Sequence, residues 1–112
     1  MDCIFCKIAN GDIPSNKVYE DEHILAFHDI APQSPIHVLV IPKVHIASAH
    51  EIDNTNVDVI AHIFSSIPTI AKKAGLKNGY RVITNVGEDG CQSVKHLHFH
   101  ILGGKKLPEE MA

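Results

Sequence analysis

The run His96-Leu97-His98-Phe99-His100-Ile101-Leu102, closed by Gly103-Gly104, constrains this chain more than any other stretch. Three histidines alternate with apolar residues, and in a β-strand the side chains at i, i+2 and i+4 share one face. The alternation predicts a strand over 94–102, with His96, His98 and His100 in a row and neighbours ~6–7 Å apart. Leu97, Phe99 and Ile101 then turn toward a core. A row of imidazoles suits two chemistries. One is metal coordination; the other is attack by one histidine while the others position it and pass protons.

The rest of the chain bounds those options. With 112 residues, 45% of them apolar, it has room for a single globular domain, 1–112, with a modest core. A net charge of −3 leaves no basic stripe for a nucleic-acid surface, although backbone N–H groups can still hold one phosphate. Three cysteines are an odd number, and two stand as Cys3-Ile4-Phe5-Cys6. That is poor material for a disulfide framework and fits a reducing compartment. No signal-like segment opens the chain and no apolar run approaches ~18 residues, so the expectation is a cytoplasmic protein without a membrane partner.

Local patterns give the order of elements. A short helix is expected over 3–10, stopped by Gly11, and then brief strands over 18–20 and 23–29. Pro32 and Pro35 dictate a loop. The stretch 36–41 is almost wholly apolar, which predicts a central strand with His37, Leu39 and Ile41 on one side. One long helix is expected over 54–75, with Asp53 or Asn54 as its N-cap. Its stripe is Val57, Ile60, Phe64, Ile67, Ala71 and Ala74, and Pro68 should bend it. Strands over 80–86 and 94–102 complete the set around the tight loop Gly87-Glu88-Asp89-Gly90. The expected class is α+β: an antiparallel five-stranded meander sheet with one long helix and a short N-terminal helix. One helix covers such a sheet thinly, so a dimer is plausible.

Several blocks in order resemble a known family. They are Phe5-Cys6-Lys7-Ile8 with Gly11-Asp12-Ile13-Pro14, Ala26-Phe27-His28-Asp29-Ile30, and Pro35-Ile36-His37-Val38-Leu39-Val40-Ile41-Pro42-Lys43 with His45-Ile46. Gly79-Tyr80-Arg81 with Asn85, Gly90-Cys91-Gln92-Ser93-Val94 and the histidine row follow. Together they resemble the histidine-triad (HIT) superfamily, and within it the Hint branch of nucleotide-binding proteins. The resemblance implies a homodimeric hydrolase acting on purine nucleoside 5′-phosphoramidates, derivatives of AMP or GMP, through a nucleotidyl-histidine intermediate.

Carried onto this sequence, the resemblance makes His98 the nucleophile, His100 its proton and phosphate partner, and His37 a ring behind the row. Asn85, Ser93 and Gln92 become contacts to the phosphate or leaving group, together with the backbone around Gly90 and Cys91. Cys91 stands where many Hint proteins carry glycine, so a positive φ there would strain it. Asp29 would accept from the ribose hydroxyls, and Ile4, Phe5, Ile8, Phe27, His28 and Ile30 would form the base slot. Some HIT proteins add His45 and the first histidine of the row to a cysteine pair. This implies a structural zinc on Cys3, Cys6, His45 and His96. Competing expectations are a dinucleotide polyphosphate (Ap4A-type) hydrolase, a non-catalytic nucleotide- or zinc-binding protein, and a catalytic metal held by the triad.

Overall fold

The computed structural model describes residues 3–111. Its elements are α1 (Ile4–Ala9), β1 (Lys17–Glu20), β2 (Ile24–His28), β3 (Ile36–Pro42), a 3-10 turn (Ala49–Glu51), α2 (Val57–Ala74), β4 (Tyr80–Ile83) and β5 (Phe99–Gly103). All sheet pairings are antiparallel and the strand order is β1-β2-β3-β5-β4. The first three strands run as a meander. β5 then takes the place beside β3 and leaves β4 at the edge. This is the α+β architecture expected from the sequence. Among the described residues no helix is long and apolar enough to cross a membrane.

Strand alternation divides the core into two layers. Ile24, Ala26, Val38, Val40, Phe99 and Ile101 face α2 and meet its Ile63, Ile67 and Ile70. Leu25, Phe27, Leu39 and Ile41 face the other way and meet Phe5, Ile8 and Ala9 of α1. The register aligns Leu39 with His100 and His37 with Leu102, so His37 and His100 share the α1 face. The sheet thus gives its α2 face wholly to packing and part of its α1 face to polar groups.

The boundaries depart from the sequence reading at three places. The long helix begins at Val57, because the Asp53 carboxylate caps the Thr55 N–H (2.8 Å) and hydroxyl (2.6 Å) in a turn that precedes it. Its buried face is Ile63, Ile67, Ile70 and Ala71, while Phe64 is half-exposed and meets the Phe99 ring edge-on at 5.2 Å. The helix continues through Pro68, whose ring lies on the solvent side where water can reach the freed carbonyl. Gly75, at φ +89°, closes the helix as expected. The fourth strand stops at Ile83, because the Thr84 side chain turns to the His98 carbonyl (2.8 Å). The last strand begins only at Phe99: ahead of it the Leu97 N–H bonds to the Ile46 carbonyl (2.6 Å), outside the sheet ladder.

A polar tie fixes α2 to the turn between β1 and β2. The Asp21 carboxylate accepts from His62 Nε2 (2.6 Å), the Tyr19 hydroxyl (3.0 Å) and the backbone N–H groups of His23 (2.8 Å) and Ile24 (3.0 Å). Burial alone would raise this carboxyl, but the four donors outweigh it and hold the group well below the ordinary carboxylate range. Asp21→Asn is therefore expected to lower the unfolding free energy at pH 7 by about 1–3 kcal/mol, measured by urea denaturation. The native carboxyl is depressed, so its contribution is present above the unfolded value of about 4 and fades as pH falls below it. The gap between wild type and variant should narrow in acid; a constant gap contradicts the assignment.

Candidate active site and metal centre

Two rings of the row, His96 and His98, have one nitrogen fixed by the backbone, and the third, His100, is fixed through His37. His98 Nδ1 lies 2.7 Å from the His96 carbonyl oxygen. A carbonyl only accepts, so Nδ1 carries the hydrogen and Nε2 keeps its lone pair. The Gln33 N–H donates to His37 Nδ1 (3.0 Å), which puts the hydrogen of neutral His37 on Nε2. That Nε2–H donates to His100 Nδ1 (2.9 Å), and the hydrogen of His100 is left on its own Nε2. The rings of His98 and His100 stand 5.0 Å apart, edge to face. A ring with a bare nitrogen and a ring with an N–H donor therefore lie side by side.

Burial favours neutral rings here. It lowers His37, although the Asp29 carboxylate pulls the other way. Burial also lowers His100 to about 4, with His98 and His37 adding to the effect and Asp29 opposing it. The Asp29 carboxylate lies 3.5 Å from His37 Nε2 and accepts the Ala31 N–H at 2.8 Å.

A cavity of about 260 Å³ opens at this point. Its walls include His98, His100, Ser93, Asp29, Ile30, His28, Phe27, Ile4, Phe5 and Ile8. Ten of the residues singled out from the sequence thus meet around one space. Pro14, Ser15, Asn16, Leu39 and Val94 complete the lining and were not among them. Leu39 was within reach of the alternation that placed His37; the 14–16 segment carried no such signal. The Ser15 hydroxyl is buried without a protein partner.

The remaining predicted residues lie off the lining. Asn85 Nδ2 donates to the Gly90 carbonyl (2.7 Å). Gln92 Nε2 donates to the carbonyls of Ala47 (2.8 Å) and Val94 (2.9 Å), while its Oε1 accepts the Gly87 N–H (3.1 Å). Both side chains brace the loop that precedes the row. Cys91 in that loop is exposed and adopts φ +58°, the left-handed region that favours glycine. Gln33 and Pro42 act on the rings from outside the expected set, both through backbone atoms that no side-chain pattern reveals, and the Thr84 hydroxyl holds the His98 backbone carbonyl.

His96 belongs to a second centre. Its Nε2–H donates to the Pro42 carbonyl (2.8 Å), which leaves Nδ1 with a lone pair. That Nδ1 lies 3.3 Å from Cys3 Sγ, 3.5 Å from Cys6 Sγ and 3.2 Å from His45 Nδ1, and Cys6 Sγ lies 3.3 Å from His45 Nδ1. A tetrahedral zinc at its usual bond lengths sets nitrogen–nitrogen separations of ~3.3 Å and sulfur–nitrogen separations of ~3.5 Å. The four side chains therefore fit such an ion, two soft sulfurs with two imidazoles, and a closed set of four leaves no open position for substrate.

Asp29, His37 and His100 also lie close enough together to be considered as metal ligands. The tautomer speaks against it: with the Gln33 N–H on Nδ1, the Nε2 of neutral His37 carries hydrogen and has no lone pair to give. The triad is arranged for hydrogen bonding.

Comparison with known proteins agrees with this fold. The HIT domain model matches residues 10–107. The chain belongs to the HIT family. A solved histidine triad protein from Clostridium difficile is 57% identical, with a TM-score of 0.93, covering 98% of this chain and 96% of that one. A HIT family hydrolase from Legionella pneumophila is 44% identical, with a TM-score of 0.91, covering 96% and 97% of the two chains. A 14 kDa zinc-binding protein of Brassica juncea is 42% identical over 95% of this chain and 96% of its own length.

The buried His37 and half-buried His100 rings, both favouring the neutral form, are expected to make this HIT protein acid-sensitive in a defined window. His37 and His100 are depressed in the folded state, so their contribution to stability is complete above the unfolded histidine value of about 6.5. It is lost as pH falls toward the His100 value of about 4. Denaturant midpoints should drop between pH 7 and 5, and His100→Asn should flatten that slope. An equal slope in the variant would contradict the assignment.

Proposed function

We propose that this HIT protein hydrolyses the P–N bond of purine nucleoside 5′-phosphoramidates. The observation that carries the reading is the paired state of two rings at one cavity: a lone pair on His98 Nε2 beside an N–H on His100 Nε2. The apolar wall of Ile4, Phe5, Ile8 and Phe27 takes the base, and Asp29 takes the ribose hydroxyls.

His98 Nε2 attacks phosphorus and the P–N bond to the amine breaks, its electron pair staying on nitrogen. The departing amine accepts a hydrogen bond from His100 Nε2–H and takes its proton from a water molecule. The oxygen of that water then bonds to phosphorus as the nucleotidyl-histidine breaks down, and His98 leaves as a neutral ring. Ser93 at the cavity wall supplies a hydroxyl donor for a phosphoryl oxygen. His37 holds the orientation of His100.

The reading includes a structural zinc on Cys3, Cys6, His45 and His96. When bound, the ion contributes ligation and no chemistry to the substrate. It also includes a homodimer: β4 is an edge strand, and Val57 and Phe64 on α2 and Tyr80 on β4 are exposed apolar side chains. The unpaired cysteines fit a cytoplasmic setting.

Turnover of an AMP-amine compared with a diadenosine polyphosphate tests the activity. Hydrolysis of the AMP-amine is expected, and turnover of the dinucleotide alone would favour the dinucleotide hydrolase. His98→Gly should reduce kcat by at least ~10³-fold while AMP binding persists; surviving turnover removes His98 from the nucleophile role. The same preparation should hold one zinc per chain and sediment at twice the chain mass.

A further inference from the structure

We infer that α1 is a positioning element for the nucleophile: its metal ligands Cys3 and Cys6 hold Phe5 against the His98 ring, so that metal occupancy sets both the orientation of His98 and the wall of the nucleotide slot. The inference deepens the proposed activity and rests on that reading for its kinetic readout.

Three connections meet in this helix. The first is along the chain: Cys3 and Cys6 flank Phe5 within one helical turn, and the Cys6 N–H bonds to Cys3 Sγ (3.3 Å). The second is ring on ring. Phe5 meets His98 edge to face at 5.1 Å, His96 at 6.0 Å and Phe27 at 5.7 Å. Each is within the range of specific aromatic contacts. The third runs through His96. Its Nδ1 faces the two sulfurs, and its own carbonyl receives the His98 Nδ1–H (2.7 Å). One residue thus offers its ring to the ion and its backbone to the nucleophile.

The wall of the slot follows the same helix. Ile4, Phe5 and Ile8 all line the cavity, and α1 is only six residues long. A helix of that length has no stability of its own and is held by what it touches. Loss of the metal leaves two sulfurs and two imidazoles facing one another without their common partner. The helix that carries the sulfurs is then free to shift, and Phe5 shifts with it. A displaced Phe5 widens the slot, which raises KM, and releases the His98 ring, which lowers kcat.

Histidine-labelled protein gives the decisive readout. Ring ¹⁵N and ¹H signals of His98 are recorded with zinc bound and after chelation, with AMP titrated into each form. Zinc removal is expected to move the His98 signals and to weaken AMP binding by about tenfold, the range typical of supports behind a site. Phe5→Leu keeps all four metal ligands, so it tests the link even where metal-free protein unfolds. It should retain one zinc, shift the His98 signals, and lower kcat/KM by about tenfold with both kcat and KM affected. Lys7→Ala, on the exposed side of the same helix, should match wild type throughout. Unchanged His98 signals in Phe5→Leu, or in folded metal-free protein, overturn the inference whatever the substrate proves to be. Shifted His98 signals without phosphoramidase turnover would instead uphold the link and remove the proposed reaction.

Discussion

Backbone atoms decide the state of three rings in this site and, through His37, that of His100. Imidazole is an ambiguous group: either nitrogen can carry the hydrogen, and each choice gives a different reagent. Here the Gln33 amide, the His96 carbonyl and the Pro42 carbonyl settle it for His37, His98 and His96 in turn. The partners come from positions that the sheet or its flanks already hold, so the tautomers are as rigid as the fold. From that constraint follow the lone pair on His98, the donor on His100 and the metal-facing nitrogen of His96. Reversing any one of these bonds would turn a lone pair into a donor or a donor into a lone pair.

The division of labour between the two faces of the sheet has the same origin. The α2 side is closed by Ile63, Ile67 and Ile70 and pinned at one end by Asp21 and His62. It carries no part of the cavity. On the other side α1 covers only part of the sheet, and the polar rings lie beside it at the cavity. A fold with one long helix and one short helix therefore gives one face to stability and the other to chemistry.

Much of this was legible in the chain. Alternation around His98 and along 36–41 put the right residues on the right faces, because a strand's period of two leaves one answer once the apolar set is buried. The cysteine pair and the His-x-His-x-His row led to two centres through the resemblance they carry, which assigned His45 and His96 to the metal. Other features were not legible. The row lies only partly in a strand, since Leu97 pairs with Ile46 outside the ladder. The roles of Asn85 and Gln92 as loop braces depend on distances that no pattern encodes. The long helix is apolar over a wide arc, so Ile63 and Ile70 took the place in the core that its periodicity also allowed Phe64 and Val57.

The shortness of α1 has a consequence for how the molecule opens. Free energies of local unfolding range from nearly nothing up to that of the whole fold, and segments with few anchors sit at the low end. Without its side-chain anchors, α1 would be the first cooperative unit to detach, leaving the α2 layer intact. The accessible excited state of this protein is then a nearly complete sheet with one pocket wall missing, and the ligand that reseals that wall also restores the native basin.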